Sequence, residues 1–301
     1  MKILTSGVLL GFGLTAFGAL GLAGQATSKP QQQSPFQAPL TVEKIKDNIY
    51  MAKGGVGANT GFFIGSKGVL AIDAKMTTEA SKQVVAEIAK LTPLPVVTMV
   101  LTHSDLDHVN GLNGFPQGMK IIAHEQTKMD MVKAFAEPNL QALQAFLPNQ
   151  TFTDKLVLDF GGETVQLLHF GPAHTSGDVV IYFPKEKVAF IGDLAFIGRD
   201  PLIHLEKGGS SFGLDKNLAE IIKLDADVLI SGHNDPLNKT QIKELLKSIE
   251  DKQAQVKALV DKGNSLDQVK AAFNIIDETG PGGRHWPSLA EIIYKELTEK
   301  K

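Results

Sequence analysis

Four side chains able to bind a metal ion crowd into one short run, LTHSDLDHVNGL, at residues 101–112: His103, Asp105, Asp107 and His108. Packing so many ionisable groups together is costly unless something offsets their charge and desolvation, and a cation does so. Three further segments each add one such residue beside glycine or proline: FGPAHTSGD carries His174, FIGDLAF carries Asp193 and ISGHNDP carries His233. A lone histidine or aspartate in such a place is ordinarily a turn or capping residue, and Asp193 by itself would be read that way. Taken together, the set points to a metal site. The chain has no cysteine, so every ligand must be nitrogen or oxygen and no disulfide supports the fold.

The elements that must position these residues are short. Strands are predicted at 41–44, 49–52, 59–64 and 69–73, separated by glycine-containing turns. A helix follows at 78–91, with Thr78 as its candidate N-cap. The almost wholly apolar run 96–101 reads as a buried strand ending just before His103. A strand at 120–123 precedes a largely helical stretch, 125–146, interrupted near Pro138. Strands resume at 156–158, 164–170, 178–183 and 188–191, then a helix at 214–224, a strand at 228–230, and helices at 239–262 and 288–299. Every candidate ligand therefore follows a strand end, where loops can aim side chains into one concave spot. Two strand-rich halves with helices on their outer faces predict an α/β (α+β layered) protein, a four-layer αβ/βα sandwich, in one domain over residues 40–301.

Residues 1–26 read as a secretory signal peptide: Lys2, an apolar run at 3–23, then small residues, with cleavage after Ala26. A retained anchor is the alternative, since the run approaches the ~20 residues that span a bilayer. Residues 27–39 are a polar, proline- and glutamine-rich linker. The expected location is exported, periplasmic or secreted, without stable membrane insertion after cleavage. A formal net charge of -3, with lysines interleaved among acids at 239–252, argues against a nucleic-acid partner.

The run THSDLDH, with the later His, Asp and His, resembles the metallo-β-lactamase superfamily, whose usual signature is H-x-H-x-D-H. The resemblance covers about residues 40–262, including NTGFFIGSKGVLAID and GHNDP. It implies two divalent metal ions. His103, the residue at 105 and His174 would hold one; Asp107, His108 and His233 would hold the other; Asp193 would bridge them. The departure is Asp105, where the family normally has histidine. Each half-site then has two imidazoles and one carboxylate, a set also found at non-haem iron centres, so zinc comes first with iron or manganese as alternatives. Two cations balance Asp105, Asp107, Asp193 and a bridging hydroxide to neutrality, one unit less positive than the usual family site. Lewis acidity falls accordingly. Asp is also shorter than His, which leaves open whether Asp105 reaches its metal.

The implied activity is hydrolysis of an ester-like or amide-like bond in a small molecule (lactone, thioester or β-lactam) by a metal-bound hydroxide, with Asp107 and His108 as catalytic residues. Asn110, Thr175, Asp178 and Asn234 are candidates for hydrogen bonds that orient the ligands, or for simple turn residues. His204, near Glu206 and the GGSSFG run, is either a substrate contact or part of a surface loop. His124 and His169 are expected to bond or pack locally, and His285 with Trp286 to form a C-terminal packing corner. Two alternatives stay open. Flavodiiron proteins resemble this domain, carry a carboxylate at the position of Asp105, and share the eighteen residues between His174 and Asp193. The other alternative is a non-catalytic, metal-stabilised binding protein.

Overall fold

The computed structural model describes residues 39–276 and 286–299. The expected signal peptide, the linker before Pro39, and His285 lie outside the described residues. The first half of the chain runs β1 (Thr41–Lys46), β2 (Ile49–Lys53), β3 (Thr60–Ile64), β4 (Val69–Ile72), α1 (Thr78–Leu91), β5 (Val96–Val100), α2 (Leu106–Val109), β6 (Lys120–His124), α3 (Glu125–Ala134) and β7 (Gln150–Phe152). Its seven strands form one sheet in chain order. β1 to β4 pair antiparallel, and β4 to β7 pair parallel. The second half supplies β8 (Lys155–Phe160), β9 (Glu163–Leu168), β10 (Val180–Phe183), β11 (Val188–Gly192), α4 (Ser211–Lys223), β12 (Val228–Ser231), α5 (Lys239–Asp261), α6 (Leu266–Ala272) and α7 (Leu289–Thr298). Its five strands are ordered β12-β11-β10-β9-β8, with only β11–β12 parallel.

Strand alternation assigns the layers. In β4, Leu70 and Ile72 join a core with Ile181 and Phe183 of β10 and Phe190 of β11, which places that core between the sheets. Val69 and Ala71 point the other way, into a core shared with Val84 and Ile88 of α1 and Met131 of α3. Val180 and Tyr182 of β10 pack outward on Leu214, Leu218 and Ile221 of α4, Ile249 of α5 and Ile293 of α7. Strands buried on both faces read as continuous apolar runs, which is why VLAI and VIYF lack polar alternation. The result is the expected four layers, helix, sheet, sheet, helix.

Three local expectations are corrected. α1 is capped by Thr77, whose side chain accepts from Ala80 N at 3.1 Å; Thr78 is already the first helical residue. The helical stretch 125–146 breaks earlier than Pro138: α3 ends at Ala134, and a 3-10 turn covers Gln141–Phe146. β7 and α6 are additional. β7 has three residues, too few to show a period, whereas α6 carries a capping box between Ser265 and Gln268.

Candidate metal centre

The centre is built from the strand ends inward. Asp73 follows β4 in the left-handed region at φ 59°, a conformation costly for a non-glycine residue. Its carboxylate accepts from Thr102 N at 2.8 Å and Thr102 Oγ1 at 2.7 Å, and from His108 Nδ1 at 2.8 Å. Because the Thr102 hydroxyl proton is committed to Asp73, Thr102 Oγ1 accepts from His103 Nδ1 at 2.9 Å. His174 Nδ1 donates to Leu202 O at 2.7 Å. In all three rings the Nδ1 proton is engaged, which leaves the Nε2 lone pair facing the centre, the tautomer a metal requires.

The seven residues expected to ligate are brought together. His103, Asp105 and His174 form one potential ligand group, and Asp107, His108 and His233 another. Asp193 groups with His103 and His108, one from each set. Asp105 Oδ2 lies 3.8 Å from His103 Nε2 and 3.2 Å from His174 Nε2, so the shorter side chain reaches its half-site. His233 Nε2 lies 3.2 Å from both Asp107 Oδ2 and Asp193 Oδ2. His103 Nε2, His108 Nε2 and Asp193 Oδ1 are buried without a hydrogen-bond partner. The 3.2 Å approach of His108 Nε2 to Asp193 Oδ1 does not qualify as a hydrogen bond. An orphaned buried polar atom costs ~1–3 kcal/mol, and three converging in one place is the pattern of ligand atoms. The donor set therefore fits divalent cations. Gly232 makes room for it, since a Cβ there would stand 2.2 Å from Asp193 Oδ1 and 2.7 Å from His108 Cε1.

The carboxylates and imidazoles of the cluster also compensate one another's charge. Burial would raise the carboxyls of Asp105 and Asp193, but the hydrogen bonds of His174 and His204 to the first and His108 beside the second hold both well below the usual range, as anions. Burial, helped by His108, keeps His103 well below its ordinary value and so neutral. Burial also pulls on His174 and His233, but Asp105 outweighs it at the former and Asp107 with Asp193 at the latter, raising each to about 9.

The remaining candidates divide. Thr175 N and Oγ1 donate to Asp178 at 2.8 and 2.7 Å, locking the turn behind His174, and burial pushes Asp178 up to about 6. Asn110 Nδ2 donates to Met76 O at 3.0 Å, and so ties α2 to the loop before α1 without approaching the ligands. Asn234 Oδ1 accepts from Ile197 N at 3.2 Å and lines the adjoining pocket. His204 is not on a surface loop. It is buried, with Nε2 2.9 Å from Asp105 Oδ2 and Nδ1 2.9 Å from Glu206 Oε1, and Trp286 packs edge-on against its ring. His124 caps α3, accepting from Gln126 N at 3.2 Å, and stacks on His169 at 4.0 Å.

Several contributors carry little sequence signal. Asp73 and Thr102 are ordinary strand-end residues in sequence, although Asp73 closes the LAID run. Lys207 Nζ lies 2.5 Å from Asp105 Oδ1. Lys75 is wholly buried, and its Nζ donates to Ala52 O, Gly54 O and Ala58 O at 3.0, 2.9 and 2.6 Å. Burial pulls Lys75 down to about 7. It pins the 54–58 loop, one wall of a cavity of about 550 Å³ beside His233. Across that cavity Phe196 stacks on His233 at 5.6 Å and 14°, and the Arg199 guanidinium lies 4.2 Å from the Phe196 centroid.

The family model described as "Metallo-beta-lactamase superfamily" matches residues 54–233. The α subunit of 2,4-dinitroanisole O-demethylase from Nocardioides sp. is 25% identical over 208 residues, 68% of this chain and 61% of the relative. The type 2 metallo-beta-lactamase of Elizabethkingia meningoseptica is 27% identical over 275 residues, 86% of this chain and 99% of the relative. Among solved structures, the stereoselective inverting sec-alkylsulfatase of Pseudomonas sp. superposes with a TM-score of 0.71 at 17% identity, over 87% of this chain and 51% of that one. The chain thus spans less than two thirds of the first and third of these proteins. The match to the family model covers more than half of the chain, and the chain belongs to the metallo-beta-lactamase superfamily.

Proposed function

We propose that this protein is an exported metallo-hydrolase that cleaves an ester-like or amide-like bond in a small molecule. The observation that carries the proposal is the convergence of three unpartnered buried ligand atoms, His103 Nε2, His108 Nε2 and Asp193 Oδ1, beside an open cavity. His103, Asp105 and His174 would hold one divalent cation; Asp107, His108 and His233 would hold the other, with Asp193 shared. Bound there, the cations supply Lewis acidity and an activated water. Zinc is the first choice; the carboxylate at 105 keeps iron and manganese in play.

The chain's own groups supply the rest. His233 is the candidate ligand that lines the cavity, and it and Asp107 beside it have side chains 23% and 24% exposed, so substrate enters on their side. The Asp107 carboxylate orients the attacking water, takes its proton, and can return that proton to the leaving atom. Phe196 supplies an apolar wall over His233. Arg199 has no acidic partner among the described residues and is placed to receive an anionic group of the substrate. Similar proteins include a β-lactamase, a linear primary-alkylsulfatase and hydroxyacylglutathione hydrolase GloC, all bond-cleaving enzymes. They support hydrolysis over a redox diiron role.

The test is turnover of lactone, thioester and β-lactam panels by protein loaded in turn with zinc, manganese and iron. Metal-dependent cleavage of at least one panel is expected. No cleavage with any metal rejects the hydrolase reading, and oxygen- or peroxide-dependent chemistry of an iron form selects the redox alternative.

A further inference from the structure

Lys207 meets Asp105 at 2.5 Å through Oδ1, while the other oxygen of the same carboxylate, Oδ2, faces His103, His174 and His204. The carboxylate is thus divided: one oxygen is turned toward a potential metal and the other toward an ammonium group. The loop that carries Lys207 is tightly held. His204 N donates to His174 O, and Ser176 N to Lys207 O, both at 2.9 Å. At Gly209 a Cβ would stand 2.5 Å from His174 O, so the GG pair after Lys207 is what lets this loop lie against the His174 loop. Around Lys207, Ser104 Oγ lies at 3.4 Å. The neighbouring acid Asp130 also feels the Lys207 charge, ahead of that of Lys133 at 3.9 Å, but it makes no hydrogen bond to Lys207, and Glu206 is engaged by His204. Asp105 is therefore the principal partner of Lys207.

We propose that Lys207 is the counter-charge of Asp105, so that positions 105 and 207 act as one unit setting the charge and metal affinity of the His103–Asp105–His174 half-site. The inference rests on the two-metal reading above. Over the ligand set, replacing the family's histidine by Asp105 removes one positive unit. The Lys207 ammonium restores it, returning the centre to the net charge of the H-x-H-x-D-H arrangement with an extra residue. Lys207 is a positioning and charge-balancing residue that acts through Asp105; it does not touch substrate. Two consequences follow from Coulomb's law in a partly buried site. A cation beside a divalent ion weakens its binding, so removing Lys207 tightens the half-site. Placing histidine at 105 while Lys207 remains sets an imidazole against an unpaired ammonium, which loosens it.

The test is a double-variant cycle read by chelator-competition binding of zinc to the intact protein, with a melting curve for each variant to verify folding. Lys207→Met should tighten the weaker zinc site by about tenfold or more, and Lys207→Arg should stay within about threefold of the parent. Asp105→His should weaken that site by about tenfold or more, and adding Lys207→Met to it should tighten the site by about a hundredfold, more than the same change does in the parent, because the ammonium then has no carboxylate beside it to neutralise it. Additive effects in the cycle, or weaker binding in Lys207→Met, would overturn the proposal. A parent that binds no second zinc ion overturns the two-metal reading itself, and the proposal with it, a result distinguishable from additivity.

Discussion

The two half-sites use the same ligand chemistry, two imidazoles and a carboxylate each, yet the fold treats them differently. In one, His103 and His174 are fully enclosed and Asp105 is gripped by His204 and Lys207. In the other, His108 is buried against Asp73, but Asp107 and His233 are partly exposed and His233 lines a cavity walled by Phe196 and the 54–58 loop. The first is closed off and its charge is tuned from behind. The second is where substrate can arrive. Equal ligand sets thus serve different ends once their surroundings differ, and that contrast can be broken from either side.

The largest effect is expected from His108→Ala, which removes a candidate ligand that Asp73 orients and leaves Asp193 without one of the two imidazoles 3.2 Å from it. About one metal equivalent and roughly a thousandfold or more in hydrolytic rate should be lost. Metal quantification beside a melting curve separates this from a purely structural role, which would lower the melting temperature at unchanged metal content. Next comes the hydrogen-bond layer. Asp73→Asn frees Thr102 and His108 from a shared acceptor, and metal affinity measured by chelator competition should fall by ~10–100-fold.

Lys75→Met acts on the cavity wall instead. Three buried carbonyls lose their donor, and the protein should lose about 2–4 kcal/mol in denaturant unfolding, with KM rising more than kcat falls. At the mouth, Arg199→Leu should raise KM for anionic substrates by about tenfold and leave neutral ones unchanged. Equal effects on both would show that Arg199 only covers Phe196.

The smallest effect lies far from both half-sites. Burial in the α4 layer pushes Asp215 up to about 6. Its folded value lies above its unfolded one, so the stability it contributes is full below about pH 4 and is lost as pH rises through 6. Asp215→Asn should flatten that part of the stability–pH curve.

Much of this arrangement is legible in the sequence because the ligands follow strand ends. HSDLDH after an apolar run, and single His or Asp residues beside glycine after three later strands, place the seven candidate ligands in one spot without any knowledge of distance. What is not legible depends on residues brought together from afar. Asp73 and Thr102 are 29 positions apart, and Lys207 stands 102 positions from Asp105. Neither type is unusual for a strand end or a loop. His204 reads as a surface histidine because burial of the 202–210 loop comes from its backbone bonds to the 173–176 loop, which local polarity does not reveal. The short β7 fails for another reason, since three residues show no period. Asp105 is visible in the sequence as a departure that makes the ligand set less positive, but the lysine that meets its carboxylate is not.

The central claim, two metal ions held by the seven converging residues, is tested most directly by metal quantification on the intact protein purified from its native compartment. A two-ion centre predicts about two divalent ions per chain in the parent, about one in His233→Ala, and fewer still when Asp193→Ala removes the shared carboxylate. A folded parent that holds no divalent ion after loading, or a metal content that neither substitution changes, would contradict it.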